Sequence, residues 1–314
     1  MREERGEMKD KRLMIGWAMV LFLLFSACGE QQKERSMYYW STVFRLDSAK
    51  QTFLKEHQIN RLYVRYFDVV VDEQDRVMPN ATIAFKDSIP PGVEVIPTVF
   101  IVNDCMKHDI SDLADKLLRR IIQMNETHHI GKVYEIQIDC DWTPSTRKTF
   151  FHFMEVLRTK AKERHIRLSS TIRLHQLSQQ APPADRGVLM MYNTGDFTKL
   201  SCERPILDMR DVRPYLPALK KYTLPLSTAY PLYRWRILFR NGRYIGILHT
   251  DDELPILPGD SIVIRQPELE EILKAKQAVT QQNARANHEV ILFDLNNTNI
   301  SRFKKEDYEK IFND

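Results

Sequence analysis

The sequence predicts an α/β protein: a (β/α)8 TIM-type barrel with a small β-hairpin plus helix insertion in the seventh connection. Three observations lead there. From residue 37 onward, short apolar or aromatic runs alternate with helical patterns, the order that builds a parallel sheet with helices outside it. The strand-like runs number eight, which suits closure into a barrel. Within the seventh connection, Asn241-Gly242 separates two further runs, and that dipeptide favours a type I′ hairpin turn. A doubly wound open sheet is the alternative.

The chain opens with Lys9, Lys11 and Arg12 ahead of an apolar stretch over residues 13–25, followed by Ser26, Ala27 and Cys28. Crossing a hydrocarbon core of about 30 Å takes about 20 residues, so this shorter run reads as an export signal and not a span. Leu24-Phe25-Ser26-Ala27-Cys28 resembles a bacterial lipobox, with Phe25 an uncommon occupant. The resemblance implies removal of residues 1–27, lipidation of Cys28, and attachment through that lipid to a membrane of a bacterial cell envelope, periplasmic or outer-surface. An ordinary secretory signal with a chance cysteine is the alternative. Met8 and Met14 are alternative starts, because Glu3, Glu4 and Glu7 are odd company for a basic leader.

Residues 28–36 read as a polar tether and residues 37–314 as one barrel domain, since single barrels commonly run to about 250 residues. A net charge of +4 with no basic cluster argues against nucleic acid as a partner. Cys105, Cys140 and Cys202 are too far apart for metal-ligand spacing, so they read as core or incidental thiols, with one disulfide among them open. No metal and no cofactor is expected. There is no GxSxG elbow, no HExxH and no phosphate-cradling glycine loop, and there are only ten glycines in all.

In chain order the expected strands are residues 38–44, 61–67, 94–102, 133–141, 167–174, 187–192, 224–230 and 289–295. A helix over 48–57 turns Phe53 and Leu54 inward. Another over 111–123 repeats Leu113, Leu117 and Ile121 at four-residue steps. The clearest runs over 145–164, where Phe150, Phe153, Met154, Leu157 and Ala161 recur at three- and four-residue steps. Residues 237–239 and 244–248 form the expected hairpin, and a helix over 267–281 follows, with Pro267 acceptable in its first turn. The last helix, 304–313, packs Tyr308, Ile311 and Phe312.

The fourth run carries the chemistry. Side chains of a strand alternate faces, so Glu135, Gln137, Asp139 and Asp141 share one face and Ile136, Ile138 and Cys140 the other. The apolar face meets the helices, which turns the polar row into the barrel, where it is costly unless hydrogen-bonded or working. Asp139 and Asp141 fall at the C-terminal end, where such barrels keep their active sites. The bland reading is scaffolding held by arginines of neighbouring strands, and Arg65 and Arg173 are placed to compensate an inward carboxylate under either reading. Asp68 follows the second run, and His175 lies near the expected mouth as a sugar contact, a proton carrier or a structural histidine.

Asp139-Cys140-Asp141-Trp142 resembles the end of the DxxDxDxE motif of family-18 chitinase-like glycoside hydrolases. Met190-Met191-Tyr192-Asn193 is similar to that family's MxYD, which implies that Tyr192 and Asn193 stand near the reacting sugar, Asn193 in place of an aspartate. The match fails at the decisive position. Thr143 falls where the family has its proton-donating glutamate, and a threonine hydroxyl is far too weak an acid to replace it. Over most of its length the chain more closely resembles a group of uncharacterised bacterial barrel proteins with a DUF3142-like domain. Residues 137–171, including Leu168-Ser169-Ser170-Thr171, carry that likeness.

A glycosidase would use Asp139 and Asp141 as acid and stabiliser, since their mutual repulsion can keep one protonated. Trp40, Trp142, Tyr192, Tyr230 and Trp235 are the aromatic residues expected to stack on sugar at the mouth, with core packing as the bland reading of each. Asp294 and Asn296 complete a ligand site or serve turn chemistry. Three functions stay open: a hydrolase acting on a carbohydrate, a lectin-like barrel that binds a glycan without cleaving it, and a structural envelope lipoprotein with no ligand.

Overall fold

A computed structural model describes residues 33–248 and 255–313. The export signal, Cys28 and most of the tether lie outside the described residues. Eight parallel strands form the barrel: β1 (Glu34–Tyr39), β2 (Arg61–Val71), β3 (Glu94–Ile101), β4 (Glu135–Asp139), β5 (Arg167–Arg173), β6 (Arg186–Met190), β7 (Leu226–Pro231) and β8 (Glu289–Phe293). β1 pairs with β8 on one side and β2 on the other, so the sheet closes and the open-sheet alternative falls. The first strand starts at Glu34, ahead of the expected residue 37, so the end of the expected tether is part of the barrel wall.

Outside the barrel stand α1 (Ser48–Glu56), α2 (Leu113–Thr127), α3 (Arg147–Lys162), α4 (Leu269–Gln282) and α5 (Lys305–Asn313). Asp47 starts α1 by accepting the backbone N–H of Lys50 at 3.1 Å, which satisfies one of the orphan donors of the first turn. The stripe of α3 read from the sequence is the stripe it buries: Phe150, Met154, Leu157 and Ala161 are all fully covered. Each large side chain so covered contributes about 1.5–3 kcal/mol.

The helical ring is incomplete. Between β2 and β3 the chain forms a short strand, Val77–Asn80, antiparallel to the end of β2, and a pairing of Val43–Phe44 with Ala84–Phe85. Between β5 and β6 there is only a 3-10 turn, Leu174–Ser178. In the seventh connection Asn241 and Gly242 adopt φ of 50° and 75°, the two positive values that a type I′ turn needs. The hairpin strands are Trp235–Arg240 and Arg243–Leu248. A third strand not foreseen in the sequence, Asp260–Arg265, makes the insertion a three-stranded sheet. Cys105 and Cys140 are buried and Cys202 half-buried, all three as free thiols.

Candidate functional site at the barrel mouth

The two-residue period of each strand sorts the barrel interior into layers. At the N-terminal end lie Ser36, Tyr63, Glu135, Arg186, Ser227 and Glu289. Glu289 accepts from Ser36 Oγ at 2.6 Å, Ser227 Oγ at 2.8 Å and Tyr63 Oη at 3.0 Å, and it pairs with Arg186 and Arg61. Arg186 Nε donates to Glu135 at 2.9 Å. Burial alone would raise Glu289, but Arg186 and Arg61 outweigh it and hold the carboxyl down to about 2. The lowest member of the polar row, Glu135, is therefore scaffolding held by arginine. Above it Tyr38 Oη donates to Gln137 Oε1 at 2.7 Å.

The top layer opens as a cleft of about 500 Å³ at the C-terminal mouth. The row ends there. Asp139 is almost sealed from water and accepts from Thr171 Oγ1 at 2.7 Å and from Arg173 Nη2 at 3.2 Å, whereas Asp141 is half-exposed and takes a short hydrogen bond from Arg173 Nε. Burial pushes the Asp139 carboxyl above the ordinary range, Arg173 pulls it back, and the Asp141 charge adds to the rise. One arginine thus spans both aspartates, and because a guanidinium only donates, each carboxyl oxygen facing it acts as an acceptor.

Opposite this trio runs a continuous aromatic belt. Phe293 is its hub, with ring centroids 5.4 Å from Trp40, 5.3 Å from Tyr192 and 5.7 Å from Tyr233. Tyr233 in turn lies 5.5 Å from Trp235 of the inserted sheet. Arg65, paired with Asp68, sits 5.5 Å over the Trp40 ring. Asn193, at φ 56°, accepts a short hydrogen bond from Tyr233 Oη. The cleft thus combines apolar ring faces with Arg65, Asp141, Arg173 and Asn193.

The structure brings Trp40, Arg65, Asp139, Asp141, Arg173, Tyr192, Asn193 and Trp235 to this cleft. It places the other expected residues elsewhere. Trp142 and Tyr230 are fully buried outside the barrel, because strand alternation that turns Asp141 and Ala229 inward turns their neighbours outward. Trp142 packs on Phe150 and Phe151 of α3, and Tyr230 Oη donates to Asn287. Asp68 stands behind Arg65 as its counter-ion, and His175 is exposed on the turn after β5, off the cleft. Asn296 caps a short helix by accepting from Thr298 N at 2.9 Å.

Asp294 lies under the Trp40 backbone and accepts from Asn299 Nδ2 at 2.6 Å. Burial pushes its carboxyl up to about 6 against those hydrogen bonds. Phe293, Tyr233 and Phe100 were not foreseen. Phe293 had a signal, since Glu289 and Ile291 face inward four and two residues before it. Among the described residues no cluster of three or more His, Cys, Asp or Glu side chains is arranged to hold a metal ion.

No family model matches the sequence, and neither does any curated protein. Solved structures do. The spore cortex-lytic enzyme SleL of Bacillus cereus superposes with a TM-score of 0.57 at 13% identity over 89% of this chain and 74% of its own. A chitinase of Chromobacterium violaceum gives 0.57 at 13%, covering 89% of this chain and 98% of its own. A chitinase of Bacteroides thetaiotaomicron gives 0.56 at 12%, covering 90% and 94%. At such identities the likeness establishes a shared fold alone, the (β/α)8 barrel.

Proposed function

We propose that this protein is a lipid-anchored component of a bacterial envelope whose barrel binds a saccharide at its mouth without cleaving it. The observation that carries this reading is Arg173 spanning Asp139 and Asp141. A glycosidase needs a carboxyl that carries a proton toward the leaving oxygen, yet the oxygens of both aspartates that face Arg173 accept from it. At the position of the family's glutamate, Thr143 is exposed and its hydroxyl contacts Ser145 Oγ at 2.9 Å and Thr146 Oγ1 at 3.2 Å, away from the cleft. The aromatic belt supplies flat apolar faces for sugar rings, and Asn193, Arg65 and Asp141 supply hydrogen bonds to hydroxyls.

The chitinases that share the fold favour amino-sugar oligomers as the ligand class. One observation favours hydrolysis as a second reading: burial raises the Asp139 carboxyl, the direction a general acid requires.

The test is calorimetric titration of the chain beginning after Cys28 with a panel of glycans that includes chitin oligomers. Saturable binding, weakened about tenfold by Trp235→Ala, is expected. Absence of binding across the panel overturns the reading. The anchor is tested separately, by mass spectrometry of Cys28 from membranes: an acylated cysteine is expected, and an intact leader or a free thiol contradicts it.

A further inference from the structure

Because all eight barrel strands are parallel, their first residues lie at one end, opposite the cleft. The turns that lead into them carry Lys132, Lys162, Arg164, Lys220, Lys221 and Arg285, all exposed and none in an ion pair among the described residues. Among the described residues the exposed carboxylates at the same end are Glu56, Glu126 and Glu163, while Glu34, Glu94, Asp185 and Glu309 are taken by Arg61, Arg158 and Arg35. The face is therefore net basic. It also holds a recess of about 550 Å³ between the end of α3 and the start of β5, lined by Arg158, Thr159, Lys162, His165, Ile166, Arg167 and Asp185, where Asp185 is neutralised by Arg158. Lys162 and His165 have no ion-pair partner there among the described residues.

The chain enters the barrel at this same end, since β1 begins at Glu34 and the Glu34 N–H donates to His288 O at the start of β8. The six residue steps from Cys28 to Glu34 span at most about 22 Å. An acyl group on Cys28 would thus keep this end, and not the mouth, within that distance of a bilayer.

We infer that the N-terminal face of the barrel docks on anionic phospholipid, with the recess beside Lys162 seating a headgroup phosphate and the cleft turned away from the membrane toward its glycan. The inference rests on the proposed anchor for its geometry, while the basic face is testable without it. Each basic side chain held near an anionic surface strengthens attachment about fivefold. The docked orientation presents the aromatic mouth to polymer outside the lipid layer.

The barrel closes within the described residues, with every one of its strands paired on both sides, so the chain beginning after Cys28 keeps the whole fold. This unacylated chain is co-sedimented with vesicles of phosphatidylcholine alone and of phosphatidylcholine with phosphatidylglycerol. Binding to the second only is expected, with loss of more than about a hundredfold when Lys132, Lys162, Lys220 and Lys221 are all changed to Glu. The same number of reversals at the mouth end, Arg76, Lys107, Lys199 and Arg243 to Glu, leaves binding within a few-fold. The four lysines are exposed and in no ion pair among the described residues, and the one ring contact, Lys132 over Tyr134, is at the surface, so the reversed chain folds; changing them to Gln gives an intermediate loss. No binding to anionic vesicles, equal binding to neutral ones, or equal loss from both sets of reversals overturns the proposal. This assay uses no anchor, so its failure leaves acylation of Cys28 untouched, and a failure to find acylated Cys28 leaves the vesicle result standing.

Discussion

Arg173 Nη2 lies 3.2 Å from Oδ1 of Asp139, a carboxyl that strand β4 turns into the barrel and whose same oxygen accepts from Thr171 Oγ1 at 2.7 Å. Burying such a group is costly without a cation, and removing one partner of a buried pair leaves the other uncompensated. The same guanidinium reaches Asp141 at the surface of the cleft, so a structural requirement and a ligand-facing group share one side chain.

Arg173→Gln is expected to cost about 3–5 kcal/mol at pH 7. Asp139 is raised in the folded state, so its favourable contribution is present below the ordinary carboxylate value of 3.8 and lost as pH rises through the folded value. Without Arg173 the folded value is higher still, so that loss continues to a higher pH. The cost therefore shrinks toward pH 4. Urea midpoints at the two pH values measure it, and an equal cost at both contradicts the account.

At the other end of the barrel Glu289 has the opposite sign. Its carboxyl is held down to about 2, so the stability it contributes is present above the ordinary value of 4.5 and is lost as pH falls toward 2. Glu289→Gln removes about 3 kcal/mol at neutral pH and flattens the acid limb of the stability profile. Denaturant titrations across the acid range show whether that limb depends on residue 289.

Asp294→Asn keeps the acceptor oxygen that Asn299 uses and removes a carboxyl raised to about 6. As pH rises from 3.8 to about 6 the wild type loses the contribution of this group, and the variant has no such contribution to lose. Thermal midpoints of the two chains diverge in favour of the variant above pH 6; parallel curves would refute this.

Trp142→Ala is expected to destabilise by about 3–5 kcal/mol, since the ring is fully buried between β4 and α3. At a temperature where the variant is folded, its glycan affinity stays at the wild-type value. A selective loss of affinity without loss of stability would return Trp142 to the site.

Much of this was legible because the strand period is two and eight runs were countable. The inward row from Glu135 to Asp141 came from alternation alone. Applied to the neighbouring positions, the same alternation sends Trp142 and Tyr230 outside the barrel, so their burial was in the sequence too. Phe293 follows from Glu289 and Ile291 in the same way. Tyr233, just past β7, had no periodic signal, because loop paths are set by tertiary packing. The third strand of the insertion was hidden for another reason: Ile262 and Ile264 are exposed, so burial does not explain its apolar residues. Whether the polar row was scaffold or site could not be decided for the row as a whole. Glu135 is scaffold, Asp141 faces the cleft, and only the positions of Arg186 and Arg173 separate them.

The most direct test of a binding cleft without hydrolysis is product release from chitin oligomers by the chain beginning after Cys28, followed by mass spectrometry beside Asp141→Asn. The account predicts saturable binding and intact oligomers with both proteins. Cleavage by the wild type that disappears in Asp141→Asn would contradict it and make the barrel a glycosidase whose acid is not at the position of Thr143.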